Sequence, residues 1–129
     1  MDKLELLKGN FLEFLENKIC DSQERIKSLT KEELKDEANL EKITLNIVTI
    51  FKQMFNVSYN KIVKDKKEYE NIKGDYLKYF NTIPASWKEK KEKDEKFGNE
   101  EGVIIENLKL SMADTIKEKF LVLYEKYKI

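Results

Sequence analysis

Ile43-Thr44-Leu45-Asn46-Ile47-Val48-Thr49-Ile50 is the stretch on which the reading of this chain turns. By propensity alone such a β-branched run is a strand. No second strand candidate exists to pair with it, however, and its apolar positions fall in phase with a helical stripe through Leu34, Ala38, Leu45, Val48, Phe51 and Phe55. Ile43, Ile47, Ile50 and Met54 supply a second apolar face. The pattern therefore predicts a helix that is apolar around most of its circumference and belongs in the middle of a bundle.

Working outward, Leu4, Leu7, Phe11, Phe14 or Leu15, Ile19, Ile26 and Leu29 step by three or four, which predicts a first helix over about residues 2–28. Gly9 and Asn10 lower its propensity and would suit a kink or a frayed first turn. Between the two helices, Thr30-Lys31-Glu32-Glu33 reads as a capping box, with Leu29 and Leu34 as its hydrophobic staple. Beyond Phe55 the stripe continues through Tyr59, Ile62, Tyr69, Ile72, Tyr76, Phe80 and Ile83, too long for one ordinary helix. A break at Asn56-Val57-Ser58 gives helices of similar length and is preferred; Asp65-Lys66-Lys67-Glu68 is the alternative.

Pro84 ends the third helix. The mixed-sign run of residues 88–96 carries no apolar stripe and predicts a short extra helix or a mobile connection, anchored by Trp87 and Phe97. Gly98, Asn99 and Gly102 mark a turn. A last helix then holds Ile105, Leu108, Met112, Ile116, Phe120, Leu123 and Tyr127 on one line and Val103, Leu110, Ala113, Leu121 and Tyr124 on a second. The expected architecture is a single all-α domain over residues 1–129, an antiparallel up-and-down four-helix bundle. The second line of the last helix exceeds what one neighbour covers, and Leu110, Leu121 and Tyr124 are the candidate interface.

Composition narrows the chemistry. The chain has no histidine, one cysteine (Cys20) and one arginine (Arg25), so the commonest general base, the commonest metal ligand and the usual reader of phosphates and guanines are absent or nearly so. Basic and acidic residues balance at 25 each, giving no global field toward a nucleic acid or an anionic membrane. Locally, residues 1–40 carry net three negative charges and residues 41–80 net three positive. No apolar run approaches a membrane span, and no secretory leader is recognised at the start. With a lone cysteine, the expected location is the cytoplasm. The richness in Lys, Glu, Asn and Ile matches A+T-rich codons, as in a low-GC bacterium.

Three functional expectations follow. Cys20, one residue off the Ile19 stripe and next to Asp21, should be a partly buried, inert thiol. Glu32, Glu33, Asp36, Glu37 and Glu41 place carboxylates on one helical face, Glu33 with Asp36 and Glu37 with Glu41. Over about ten residues this resembles the acidic helices of all-α nucleotide pyrophosphohydrolases, and the resemblance implies Mg²⁺-dependent hydrolysis of a nucleotide phosphate. The bland account is that acids at a helix N-terminus offset the macrodipole. Lys61, Lys64, Lys66, Lys67, Lys73 and Lys78 interleave with Tyr59, Tyr69, Tyr76 and Tyr79, a mixture used by single-strand nucleic-acid binders. Tyr69, Ile72, Tyr76 and Phe80 share one stripe, so core burial is the preferred reading of those rings. Small bacteriocin immunity proteins share the size and architecture, without a shared motif. The leading expectation is a protein–protein interaction module or homodimer without catalytic activity, needing no cofactor. Its partner would be a protein or a second copy, and neither a membrane nor a nucleic acid is expected.

Overall fold

Helical backbone runs straight through residues 43–50. Thr44 and Thr49 donate their hydroxyls to carbonyls one turn back, Leu40 at 3.4 Å and Leu45 at 2.8 Å, so these β-branched polar residues are accommodated without leaving the helix. Ile47 and Val48 are buried on the face that meets the other helices. The computed structural model describes residues 2–129. They form α1 (Lys3–Lys31), α2 (Lys35–Lys64), α3 (Asn71–Leu77), α4 (Tyr79–Thr82), α5 (Ala85–Lys96) and α6 (Glu100–Lys126). The protein is all-α, with no strand among the described residues.

Three long helices carry the packing. α1 and α2 form an antiparallel hairpin whose register is fixed by Phe11 against Phe55, by the Glu16–Lys52 ion pair and by Arg25 with Glu41. α6 packs on both, α5 packs on α6, and α3 packs on α2. Where the sequence predicts one third rod ending at Pro84, the chain supplies two short helices, α3 and α4, and the residues of the expected extra helix or connection form α5. The helix breaks at Lys78, where the Asn81 amide bonds back only three residues, and again at Pro84. Gly9 produces no break in α1, whose first turn is secured by the Asp2 carboxylate accepting from the Glu5 amide at 2.8 Å.

Helix ends depart most from expectation. Thr30 belongs to the last turn of α1, and α2 has no side-chain cap, so the capping-box reading is corrected. Instead the Leu34 amide bonds the Leu29 carbonyl at 2.9 Å and the Glu33 amide bonds Thr30 at 3.1 Å, with Glu33 in the left-handed region at φ 62°. This is a Schellman termination. The same pair of bonds closes α2 around Lys66 (φ 52°), α5 around Gly98 (φ 70°) and α6 around Lys128 (φ 53°). The preferred break at Asn56-Val57-Ser58 is likewise corrected in favour of the alternative near Asp65. Phe51, Phe55, Ser58 and Ile62 form one continuous buried face, so α2 has no reason to stop before its apolar contacts end.

Ser58 is therefore no cap. Its buried hydroxyl lies near the Asp75 carboxylate of α3 without reaching hydrogen-bond geometry. Asp75 Oδ1 lies 3.2 Å from the ammonium groups of both Lys61 and Lys78. Burial pushes the Asp75 pKa upward, but Ser58, Lys78 and Lys61 together outweigh it and hold the carboxyl below its ordinary range.

The centre of the molecule is aromatic. Phe11, Phe55, Tyr76 and Phe120 come from α1, α2, α3 and α6, and every pair among them meets edge to face at centroid distances from 4.9 to 6.3 Å. The Tyr76 hydroxyl donates to the Phe51 carbonyl at 2.9 Å, and Phe80 stacks on the Phe51 ring at 4.3 Å. Burial also pushes the Tyr76 phenol well above its ordinary pKa.

Two predictions follow from these ends and latches. Relief of the left-handed strain is worth about 1–2 kcal/mol, and glycine's extra unfolded entropy takes back roughly 0.5–1 kcal/mol. Glu33→Gly should therefore raise the urea midpoint; a lowered midpoint would show that the Glu33 side chain itself contributes. For Asp75 the unfolded chain takes up a proton first on acidification, so stability present above the ordinary aspartate range is lost as pH falls through the depressed folded value. Asp75→Asn should flatten that acid limb and lower stability at neutral pH, as read from denaturation across a pH series.

Candidate functional site

The residues singled out by sequence are scattered. Leu110, Leu121 and Tyr124 are half-buried and pack against the core, Tyr124 with its ring 6.1 Å from Phe120. Among the acids, Glu32 caps α1, Glu33 forms the turn, and Asp36 and Glu37 are exposed in the first turn of α2. Glu41 reaches α1, accepting from the Ser22 hydroxyl at 2.8 Å and pairing with Arg25 Nε at 3.3 Å. Among the described residues no group of three or more such side chains is placed to hold a metal ion. The hairpin turn thus spends or separates the carboxylates that share a face in the linear pattern.

The lysine and tyrosine segment is also divided. Ile72, Tyr76 and Phe80 are core, whereas Tyr69 is exposed and donates to Asp2 at 3.2 Å, tying the α2–α3 connection to the start of α1. That carboxylate pushes the Tyr69 phenol pKa up. Lys61 and Lys78 serve Asp75. Cys20 is exposed, not partly buried, because a step of one residue turns it away from Ile19.

The polar concentration that sequence reading missed lies where α5 meets α6. α5 has no apolar stripe and is anchored by Trp87, whose ring is 5.9 Å from the Lys109 ammonium. Asp94 is buried and accepts from Lys90 at 2.8 Å and from the Asn99 amide group at 3.4 Å. Asn99 in turn caps α6 by accepting from the Gly102 amide at 3.0 Å. Glu106, 1% exposed, is held by Lys109 at 3.2 Å. Asp94 and, secondarily, Glu106 keep the Lys90 ammonium pKa above its ordinary value despite opposing burial.

Gly102 is required by this arrangement. A Cβ there would lie 2.3 Å from Asp94 Oδ2 and 2.9 Å from Asn99 Nδ2, so only the bare backbone lets the carboxylate approach the first turn of α6. A signal for Glu106 does exist in the sequence: Glu106, Ala113 and Phe120 recur at seven, on the buried line of α6.

Beside this lock the chain exposes two large apolar groups. Phe97, at the end of α5, is 78% exposed, which overturns its expected anchoring role, and Ile104 on α6 is 58% exposed. Val103 and Ile104 line a hollow of about 430 Å³ next to Gly98. Comparison with protein-family models, curated proteins and solved structures finds no match for the chain.

Gly102→Ala should destabilise the fold by about 1–3 kcal/mol, the usual effect of overpacking a closed site. The added cost should shrink sharply in an Asp94→Ala background. A double-mutant cycle in urea measures the coupling, and strict additivity would mean that Asp94 is not the obstacle.

Proposed function

We propose that this chain is a protein-interaction module without catalytic activity, working in the cytoplasm of a bacterium and engaging a protein partner or a second copy through the α5–α6 corner. The observation that carries the reading is the exposure of Phe97 together with Ile104 beside a rigid polar lock. Covering a large exposed ring removes apolar area from water and so favours association, and apolar groups rimmed by charge are typical of association sites. Glu95 and Glu100 line the hollow beside Ile104, and the Lys96 ammonium lies 5.9 Å from the Phe97 ring. The half-buried Leu110, Leu121 and Tyr124 enter this reading as support for the helix that presents the corner.

Sedimentation velocity across micromolar concentrations, with Phe97→Ser and Ile104→Ser beside the native chain, separates the forms of this reading. Self-association in the native chain that disappears in both variants, at unchanged melting temperature, is the outcome expected of a homodimer. If the native chain stays monomeric, the partner is another protein, and one captured by the native chain should be lost with Phe97→Ser. A chain that neither self-associates nor retains a partner sensitive to Phe97 would sink the proposal.

A further inference from the structure

α4, Pro84 and α5 line one side of a groove whose other side is the middle of α6, enclosing about 670 Å³. That volume is within the range of small-molecule sites. Its apolar floor is Leu110, half-buried, with the edges of the buried Phe80, Pro84 and Ala113 behind it, and Phe80 is stacked on Phe51. The charged residues along it are opposed. Lys88 and Lys91 extend from α5, Asp114 and Glu118 from α6. Among the described residues, Lys88, Asp114 and Glu118 form no ion pair, and Lys91 reaches only Glu95 at 3.8 Å. Lys117 lines the acidic end too and leaves that end with net one negative charge.

The register of the antiparallel α5–α6 pair says how these charges are spaced. Trp87 faces Lys109 and Asp94 faces Gly102, so Lys88 stands level with about residue 108. Asp114 and Glu118 lie six and ten residues further along α6, or about 9–15 Å at the helical rise. The groove is therefore dipolar along its length, positive beside α5 and negative beside α4, with the half-buried Leu110 between them.

An extended peptide advances about 3.3–3.6 Å per residue, so three to five residues bridge the two ends. We propose that this groove binds a short free peptide, its C-terminal carboxylate at Lys88 and Lys91, its N-terminal ammonium at Asp114 and Glu118, and an apolar side chain against Leu110. A ligand carrying both signs at that separation is complementary to the two ends at once. The site is separate from the Phe97 corner, and either can fail without the other.

The test uses alanyl-leucyl-leucyl-alanine with free ends, its N-acetyl form, its C-amide and the doubly blocked form, titrated by calorimetry and followed by amide shifts of the protein. The free peptide should bind, and blocking either end should cost about tenfold or more in affinity. Lys88→Gln with Lys91→Gln should erase the difference between free acid and amide. Asp114→Asn with Glu118→Gln should erase the difference between free and acetylated amine. These side chains are exposed or half-exposed, so the variants should keep the native melting temperature. No binding of the free peptide at millimolar concentration overturns the proposal. So does equal binding of free and doubly blocked forms, or tighter binding of a blocked peptide with Glu and Lys side chains, which would point to an internal segment of a partner protein.

Discussion

Four rings from four helices, each touching the other three edge to face, are the contact on which the remaining structure depends. Phe11, Phe55, Tyr76 and Phe120 leave no helix pair among α1, α2, α3 and α6 without an aromatic contact. Edge-to-face pairing adds directionality to burial, because each ring presents its positive rim to a neighbour's negative face. The arrangement therefore fixes rotation about each helix axis as well as separation. It also explains how seven-residue α3, too short to be stable alone, holds its place: Tyr76 plugs the cluster while its hydroxyl bonds the Phe51 carbonyl.

Given that centre, the short third element need not be a rod. α3 is held from within by Tyr76 and from outside by the Asp75 latch to Lys61, and α4 is held by Phe80 on Phe51. Each short helix has its own attachment, so Lys78 and Pro84 can interrupt the backbone without freeing it. The latch has a pH dependence of its own, since it works only while Asp75 is ionised. The break at Pro84 separates α4 from α5, and α5 then lies along α6 with a groove between them.

Helical periodicity was strong enough in the sequence to give the all-α class, the residues of α1 and α6 and the apolar face of α2 through Phe55. What periodicity cannot give is where a helix stops when no glycine or proline marks the end. Three of the four Schellman turns place Glu33, Lys66 or Lys128 in the left-handed region, and none of these residues advertises it. Only Gly98 is the expected type. The Thr30 capping box failed for the same reason: hydrogen bonds from Glu33 and Leu34 back to α1 satisfied the chain first. Interface candidates are a related case, since an apolar residue at helical spacing looks the same whether its own core or a partner covers it. Leu110, Leu121 and Tyr124 pack against their own core and stay half-exposed, and Phe97, outside any stripe, is the most exposed ring.

The α5–α6 contact runs on a different physical principle from the centre. It buries Asp94 and Glu106, charges that add little net stability against their desolvation but are costly to leave unpaired. One crossing contact sets the register, Asp94 over Gly102, while Lys90 and Lys109 neutralise Asp94 and Glu106 from within their own helices. A shift by one residue along α6 would bring a Cβ into the Asp94 carboxylate. Specific register with modest net stability suits a surface element, because it sets Phe97, Ile104, Lys88 and Lys91 at fixed positions while leaving cohesion to the aromatic centre.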